Sequence, residues 1–158
     1  MSVITLSRRI SVPVARVWSA LSDFGGVYKY SAGVESSPIN EGTPSSGVGA
    51  ERNCKLYDGN HIQERVTESV HQKKVTIEIF ETSMPIKTAD ATFELAPAPA
   101  GGTDVTLTVD YVVKFGPLGK AMDALMMRRA MKGSFNNLLA GLDHNLSTGE
   151  AIGQGWKP

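Results

Sequence analysis

The feature that most constrains the fold is a change in hydrophobic period near residue 116. Between Gly33 and Phe115 apolar residues recur mostly at every second position, which is typical of strands with one buried face. After Gly116 and Pro117 the pattern becomes helical and runs without a further proline to about Thr148. A run of strands followed by one long helix predicts an α+β fold in which the helix covers one face of a curved antiparallel sheet.

The first part of the chain predicts one more strand and a short helix. Pro13 suits the first turn of a helix, and apolar residues then follow at i, i+3, i+4 and i+7 from Val14. A further short helical turn is expected around Tyr28. The predicted strands cover 3–10, 33–40, 50–57, 61–70, 73–81, 88–95 and 104–115.

Two of these strands are predicted to form a hairpin across Asp58-Gly59-Asn60. A three-residue loop pairs Leu56 with Ile62 and makes Arg52 and Glu64 diagonal neighbours on the mostly apolar face. Because a buried unpaired charge is expensive, these two side chains are expected to form an ion pair. Two interpretations remain open, a structural pair that fixes the hairpin and a polar anchor for a ligand carboxylate, carbonyl or phenol.

The long helix carries two apolar groups. The main stripe is expected to be buried against the sheet, and it consists of Ala124, Met127, Met131, Phe135, Leu138, Leu139, Leu142 and Leu146. A second group near the start of the helix is displaced by a quarter turn or more, and it consists of Leu118, Met122, Leu125 and Met126. This group is either buried more fully, under the loop near Tyr28, or lines a cavity mouth or a partner surface.

Composition excludes several classes of function. Sixteen basic and sixteen acidic residues leave no excess charge to neutralise phosphates, so a nucleic-acid partner is disfavoured. Cys54 is the only cysteine, which excludes an intramolecular disulfide and a cysteine-rich metal site. The three histidines are not spaced as metal ligands, and the Gly42–Gly47 loop lacks the Lys-Ser/Thr of a nucleotide-binding loop. We expect no metal and no cofactor and, without a signal peptide or transmembrane segment, a cytoplasmic location.

Four stretches together resemble a known superfamily. They are 12–24 with Val-Pro-Val-Ala-Arg-Val-Trp, 47–52 with Gly-Val-Gly-Ala-Glu-Arg, 58–66, and the closing helix 138–150. Their order and spacing are similar to the START/Bet v 1-like (SRPBCC) superfamily, in particular its polyketide cyclase/dehydrase and lipid-transport type. The resemblance implies a helix-grip fold, in which a seven-stranded sheet wraps a long C-terminal helix and two short helices follow strand 1. Relatives often carry a Trp-Pro or His-Pro pair where this chain has Tyr28-Lys29-Tyr30-Ser31.

The domain is expected to span 1–149, with 150–158 as a loose tail whose Trp156 could dock on the rest of the molecule. The favoured hypothesis is a binding or carrier protein, monomeric or homodimeric, for a hydrophobic small molecule held between sheet and C-terminal helix. Its candidate ligand-binding residues are Tyr28, Tyr30, Arg52, Cys54, Glu64, Ile77, Ile79, Phe93, Tyr111, Met122, Met126, Met127 and Met131.

Two alternatives stay open. An aromatase/cyclase or dehydratase without a metal would need a group that transfers a proton to or from the substrate, and the candidates are Glu64 and Tyr111. Few further polar groups lie on the apolar faces, which disfavours the enzyme. A protein-interaction module would instead use the patch from Leu118 to Met126.

Overall fold

The structure, a computed structural model, describes residues 2–158 apart from the side chain of Leu125. It confirms the predicted α+β helix-grip architecture, in which a curved sheet of seven antiparallel strands holds a long C-terminal helix. The strands are β1 (Ser2–Ile10), β2 (Val34–Ser36), β3 (Glu51–Leu56), β4 (His61–Val70), β5 (Lys74–Thr82), β6 (Ile86–Pro97) and β7 (Thr103–Val113). Two short helices follow β1: α1 (Val14–Ser22) and a 3₁₀ helix (Phe24–Lys29).

The strand order is β1-β7-β6-β5-β4-β3-β2, so the first strand pairs with the last and every other pair is sequential. The concave face carries the apolar half of each alternating strand. Along β7, for example, Val105, Leu107, Val109 and Tyr111 are buried while the residues between them are partly exposed. This one-sided burial is the reason that a period of two identified the sheet from sequence.

The long helix consists of α2 (Gly116–Met122), a π turn (Asp123–Met127) and α3 (Arg128–Thr148), which follow one another without a break. A π turn holds an extra residue, so it changes the rotational phase of everything that follows. As a result Gly119, Asp123 and Met127 lie in one row toward the sheet, whereas Ala124, predicted for the buried stripe, is exposed. The predicted stripe was therefore wrong at this position and correct from Met127 onward.

The carboxyl-terminal half of the helix closes the core. Leu139 and Leu142 are fully buried and Leu146 nearly so. Gly141 allows the helix backbone to approach Tyr30 closely, because a Cβ at Gly141 would overlap the carbonyl oxygen of Tyr30. The helix backbone comes nearest to the sheet along β1. Within 2–158, no helix has the length and apolarity that crossing a bilayer requires.

The segment 150–158, expected to be loose, has no regular secondary structure but makes specific contacts. The Ile152 side chain is buried and its amide donates to the carbonyl of Lys29 at 3.0 Å. Trp156 packs on the ring of His144 with 5.2 Å between centroids, and its carbonyl accepts from Asn137. These contacts differ from the expected loose tail and agree with the docking suggested for Trp156.

Candidate functional site

One end of the molecule brings two turns of the sheet together with the start of the long helix. The β3–β4 and β5–β6 turns lie at the same sheet end, because β4 begins opposite the end of β5. The long helix starts there too, since the amide of Lys114 donates to the carbonyl of Pro85 in the β5–β6 turn at 3.1 Å. The amino-terminal half of the helix therefore lies over the open end of the sheet.

Apolar side chains at this end remain half-buried, unlike those deeper in the core. On β5, Val75 and Ile77 are buried but Ile79 is half-exposed. On β3, Cys54 is buried and Leu56 is not. We call the region at this end the cleft and define it by its half-buried apolar side chains, which are Leu56, Ile62 and Ile79 on the strands, Met84 in the β5–β6 turn, and Met127, Met131, Phe135 and Leu138 on the helix.

The polar group at the inner end of the cleft is the predicted ion pair. Arg52 Nε lies 2.5 Å from Glu64 Oε2, and both side chains are largely buried. The predicted common face was correct, but the register was wrong by two residues: Arg52 stands directly opposite Glu64, and Cys54 opposite Ile62. The three-residue loop is 57–59, because Leu56 rather than Tyr57 closes the ladder by bonding to Asn60. A shift of two keeps every side chain on its face, so alternation alone could not detect it.

Two further interactions hold the Arg52 guanidinium, and a third contact holds its partner Glu64. Nη1 donates to the carbonyl oxygen of Phe24 at 2.8 Å, and the guanidinium carbon lies 3.9 Å from the centre of the Phe24 ring. Cys54 Sγ donates to Glu64 at 3.4 Å. Among the described residues, no hydrogen bond uses the Arg52 Nη2 group. The guanidinium is therefore fixed in place but retains a free donor edge.

Tyr30 completes this polar group. It is buried, and burial raises the pKa of its hydroxyl to about 12; Arg52 lowers that pKa, while Glu64, Cys54 and Asp23 raise it. Burial, and then the negative charge of Glu64, also raise the pKa of the Cys54 thiol. Both groups are therefore protonated at neutral pH.

A second polar group holds the helix over the sheet. The Tyr111 hydroxyl donates to Asp123 Oδ1, and the Ser2 hydroxyl donates to Asp123 Oδ2 at 2.7 Å. Asp123 is 7% exposed, and it lies in the π turn. Sequence reasoning missed Asp123 as the partner of Tyr111, because only the π turn rotates that carboxylate toward the sheet.

The strand registers align the two polar groups across the sheet. Arg52, Glu64, Ile79, Ala89, Tyr111 and Ser2 are consecutive partners from β3 to β1. With roughly 4.8 Å between neighbouring strands, Glu64 and Tyr111 lie about 14 Å apart. Small Ala89 and apolar Ile79 fill the interval. We call this set the transverse row, and its middle is apolar while its ends are polar.

The other sequence-based candidates are distributed unevenly. Ile77 and Phe93 are buried in the core beneath the cleft. Met127 and Met131 line the helix side of the cleft. Three candidates lie largely on the surface: Tyr28 is 43% exposed, Met122 43% and Met126 73%. Leu118 is also exposed. The interpretation that the second apolar group is buried more fully was therefore wrong for Leu118, Met122 and Met126. The side chain of Leu125, the fourth member, lies outside the described residues.

Two pockets flank the opposite ends of the long helix. One of about 240 Å³ lies at the helix start and is lined by Tyr111, Asp123, Lys87 and Lys120 among others. Another of about 310 Å³ lies between α1, the 3₁₀ helix and the end of α3. Tyr30 is among the residues that line this second pocket.

Comparison with protein families gives one match over almost the whole chain. The family model described as polyketide cyclase/dehydrase and lipid transport matches residues 1–146. Among curated proteins, no sequence matches this chain.

Solved structures share the fold at low sequence identity. XoxI from Bacillus cereus has a TM-score of 0.75 at 18% identity, covering 94% of this chain and 97% of its own. A START superfamily protein from Mycobacterium smegmatis has a TM-score of 0.75 at 11% identity, with 92% and 97% covered. Ara h 8.0201 has a TM-score of 0.71 at 16% identity, with 93% and 99% covered. Together they support the START/Bet v 1-like architecture.

Proposed function

The chain belongs to the polyketide cyclase/dehydrase and lipid transport family, and from this premise we propose that it binds a hydrophobic small molecule in the cleft. The observation that carries the proposal is the half-burial of apolar side chains on facing walls, Ile79 and Leu56 on the sheet and Met131 on the helix. Apolar surface that is left partly open at one end of a packed core gains free energy when a ligand covers it.

The transverse row supports a more specific ligand. A molecule entering the cleft would cover the half-buried Ile79 with its apolar body and place one polar group against Arg52. The free Nη2 edge of Arg52 and the protonated Tyr30 hydroxyl are donors, so the polar group should be an acceptor such as a carboxylate or carbonyl. We therefore propose an amphipathic acid or ketone, of lipid or polyketide type, as the ligand class.

Binding without chemical conversion is the simpler function for this site. Glu64 is paired with Arg52, and Tyr111 donates to Asp123, so both sequence-based catalytic candidates already have partners. Tyr30 and Cys54 remain protonated at neutral pH. We therefore propose a carrier that is monomeric or homodimeric. The free thiol of Cys54 supports a cytoplasmic location, and the balanced charge supports the absence of a nucleic-acid partner.

Native mass spectrometry of the protein purified from its own host, followed by organic extraction, tests the proposal. We expect a retained apolar molecule in the wild type and its loss in Ile79→Trp, because the indole fills the cleft. The matched control is Phe80→Trp on the opposite face of the same strand, where the side chain is 38% exposed. Loss of the ligand in both variants, or in neither, would contradict the cleft as the binding site.

The anchor role of Arg52 needs a double variant. Arg52→Ala alone leaves Glu64 buried without its partner, which costs about 3–5 kcal/mol and obscures any effect on binding. Replacing both, as in Arg52→Met with Glu64→Leu, should leave the free energy of unfolding within about 2 kcal/mol of the wild type. If Arg52 anchors the ligand, this double variant stays folded but retains at most about a tenth of the bound acid. The loss is expected because one hydrogen bond to a charged group contributes roughly 1.5–3 kcal/mol to binding. Unchanged retention would leave Arg52 only its structural role.

A further inference from the structure

The start of the long helix presents an apolar row to solvent. Leu118 is 69% exposed, Met122 43% and Met126 73%, and Phe115 just before the helix is 66% exposed. The π turn keeps Leu118, Met122 and Met126 aligned, because its extra residue offsets the drift of a four-residue spacing around an α-helix. Four large apolar side chains on one exposed segment form a patch that calls for a covering partner.

Basic side chains surround this patch and lack acidic partners. Lys120, Arg128, Arg129 and Lys132 lie on the same stretch of helix and are all exposed. Among the ion pairs of the described residues, none involves these four or Lys87. Between residues 111 and 142 the only acidic residue is Asp123, and it is buried on Tyr111 and Ser2. A chain with zero net charge thus concentrates positive charge beside exposed apolar side chains.

A small pocket adjoins the patch. Its volume is about 240 Å³, and Phe115, Lys87 and Lys120 line it. Two lysines beside an apolar rim suit a phosphate group that is attached to acyl chains. The patch also lies at the end of the molecule where the cleft opens, because Lys114 bonds to the β5–β6 turn.

We propose that this surface docks on an anionic phospholipid membrane, with the apolar row entering the interface and a headgroup phosphate between Lys87 and Lys120. An amphipathic helix with large apolar side chains and flanking cations binds such interfaces through burial and charge together. A second copy of the chain fits less well, because a symmetric contact would bring two basic surfaces together. The proposal is independent of what the cleft holds.

Co-sedimentation with vesicles tests the docking. The full chain is mixed with vesicles of phosphatidylcholine alone or of phosphatidylcholine with phosphatidylglycerol. We expect binding to the mixed vesicles only, and weakening by added salt. Leu118→Ser with Met126→Ser should lower the partition coefficient by about tenfold or more, since both side chains insert. Arg129→Glu with Lys132→Glu should lower it by about 25-fold or more, since each cation contributes roughly a factor of five.

Matched substitutions elsewhere serve as controls. Val48 is 61% exposed, and Lys73 is exposed in the β4–β5 turn at the opposite end of the sheet, so Val48→Ser and Lys73→Glu should bind as the wild type does. Equal binding of the wild type to neutral and anionic vesicles, or no binding to either, would overturn the proposal. So would a dimer, seen by analytical ultracentrifugation without vesicles, that the Leu118→Ser and Met126→Ser substitutions abolish.

Discussion

The two halves of the long helix are held in place by different kinds of interaction, apolar packing in one half and polar contacts in the other. The carboxyl-terminal half buries Leu139, Leu142 and Leu146, and Gly141 brings its backbone against Tyr30. The amino-terminal half leaves its methionines half-buried or exposed and is fixed by polar contacts, in which Asp123 accepts from Ser2 and Arg128 donates to the carbonyl of Val3. Dense packing gives stability, whereas a polar tether positions a helix without filling the space beneath it. One element can therefore close a core at one end and leave a cleft at the other.

The largest effect should come from removing a side chain in the closed half. Leu142 is 0% exposed, so Leu142→Ala should lower the free energy of unfolding by about 2–5 kcal/mol. Met131→Ala in the open half should cost only about 1 kcal/mol, because its side chain is half-buried. Urea denaturation of both variants measures the difference. Similar losses would mean that the two halves are packed alike and that no cleft exists.

A pair of glycines in α3 sharpens the contrast. A Cβ at Gly141 would collide with the Tyr30 carbonyl and the Ile152 side chain, so Gly141→Ala should destabilise the protein by about 1–3 kcal/mol. At Gly133, where the helix faces solvent, no atom lies within 4 Å of such a Cβ. Gly133→Ala should stabilise the protein by about 0.5–1 kcal/mol, since alanine is the better helix former. Thermal unfolding of the two variants should shift in opposite directions, and shifts of the same sign would refute the close approach at Gly141.

The smallest effect tests Tyr30, whose carbonyl lies against the closed half of the helix at Gly141. Because the pKa of Tyr30 is about 12 in the native state and ordinarily 10.0, the unfolded chain loses this proton first as the pH rises. Stability that is present below pH 10 should therefore decline toward pH 12, by about 1 kcal/mol at roughly pH 11. Denaturation at alkaline pH should show a smaller decline in Tyr30→Phe than in the wild type. The surface control Tyr57→Phe should decline as the wild type does, and an equal decline in Tyr30→Phe would contradict the burial effect.

Sequence alone predicted those features that depend on periodicity. A period of two put Arg52 and Glu64 on the concave face, and that assignment survives an error of two residues in register. The period of 3.6 predicted the buried stripe correctly from Met127 onward. It was wrong at Ala124, because a straight helix was assumed where the chain forms a π turn.

The transverse row could not be predicted from sequence. It requires the correct register of five strand pairs at once, and each register is set by turn geometry that alternation does not encode. The Tyr111–Asp123 contact has the same origin, since it depends on a helical phase that local pattern does not reveal. Long-range polar contacts of this kind carry the candidate site, which explains why the site was harder to predict than the fold.

The pairing of β1 with β7 has a consequence for biosynthesis. Ser2 pairs with Tyr111, and all of the strands from β2 to β6 lie between these two residues in the chain. At a translation speed of roughly 5–20 residues per second, β1 waits about 5–20 s on the ribosome for its partner. The helix wall of the cleft emerges later still, because it follows β7 in the chain. The cleft is therefore complete only after the helix has been synthesised, and the nascent sheet must spend the earlier interval with its first strand unpaired.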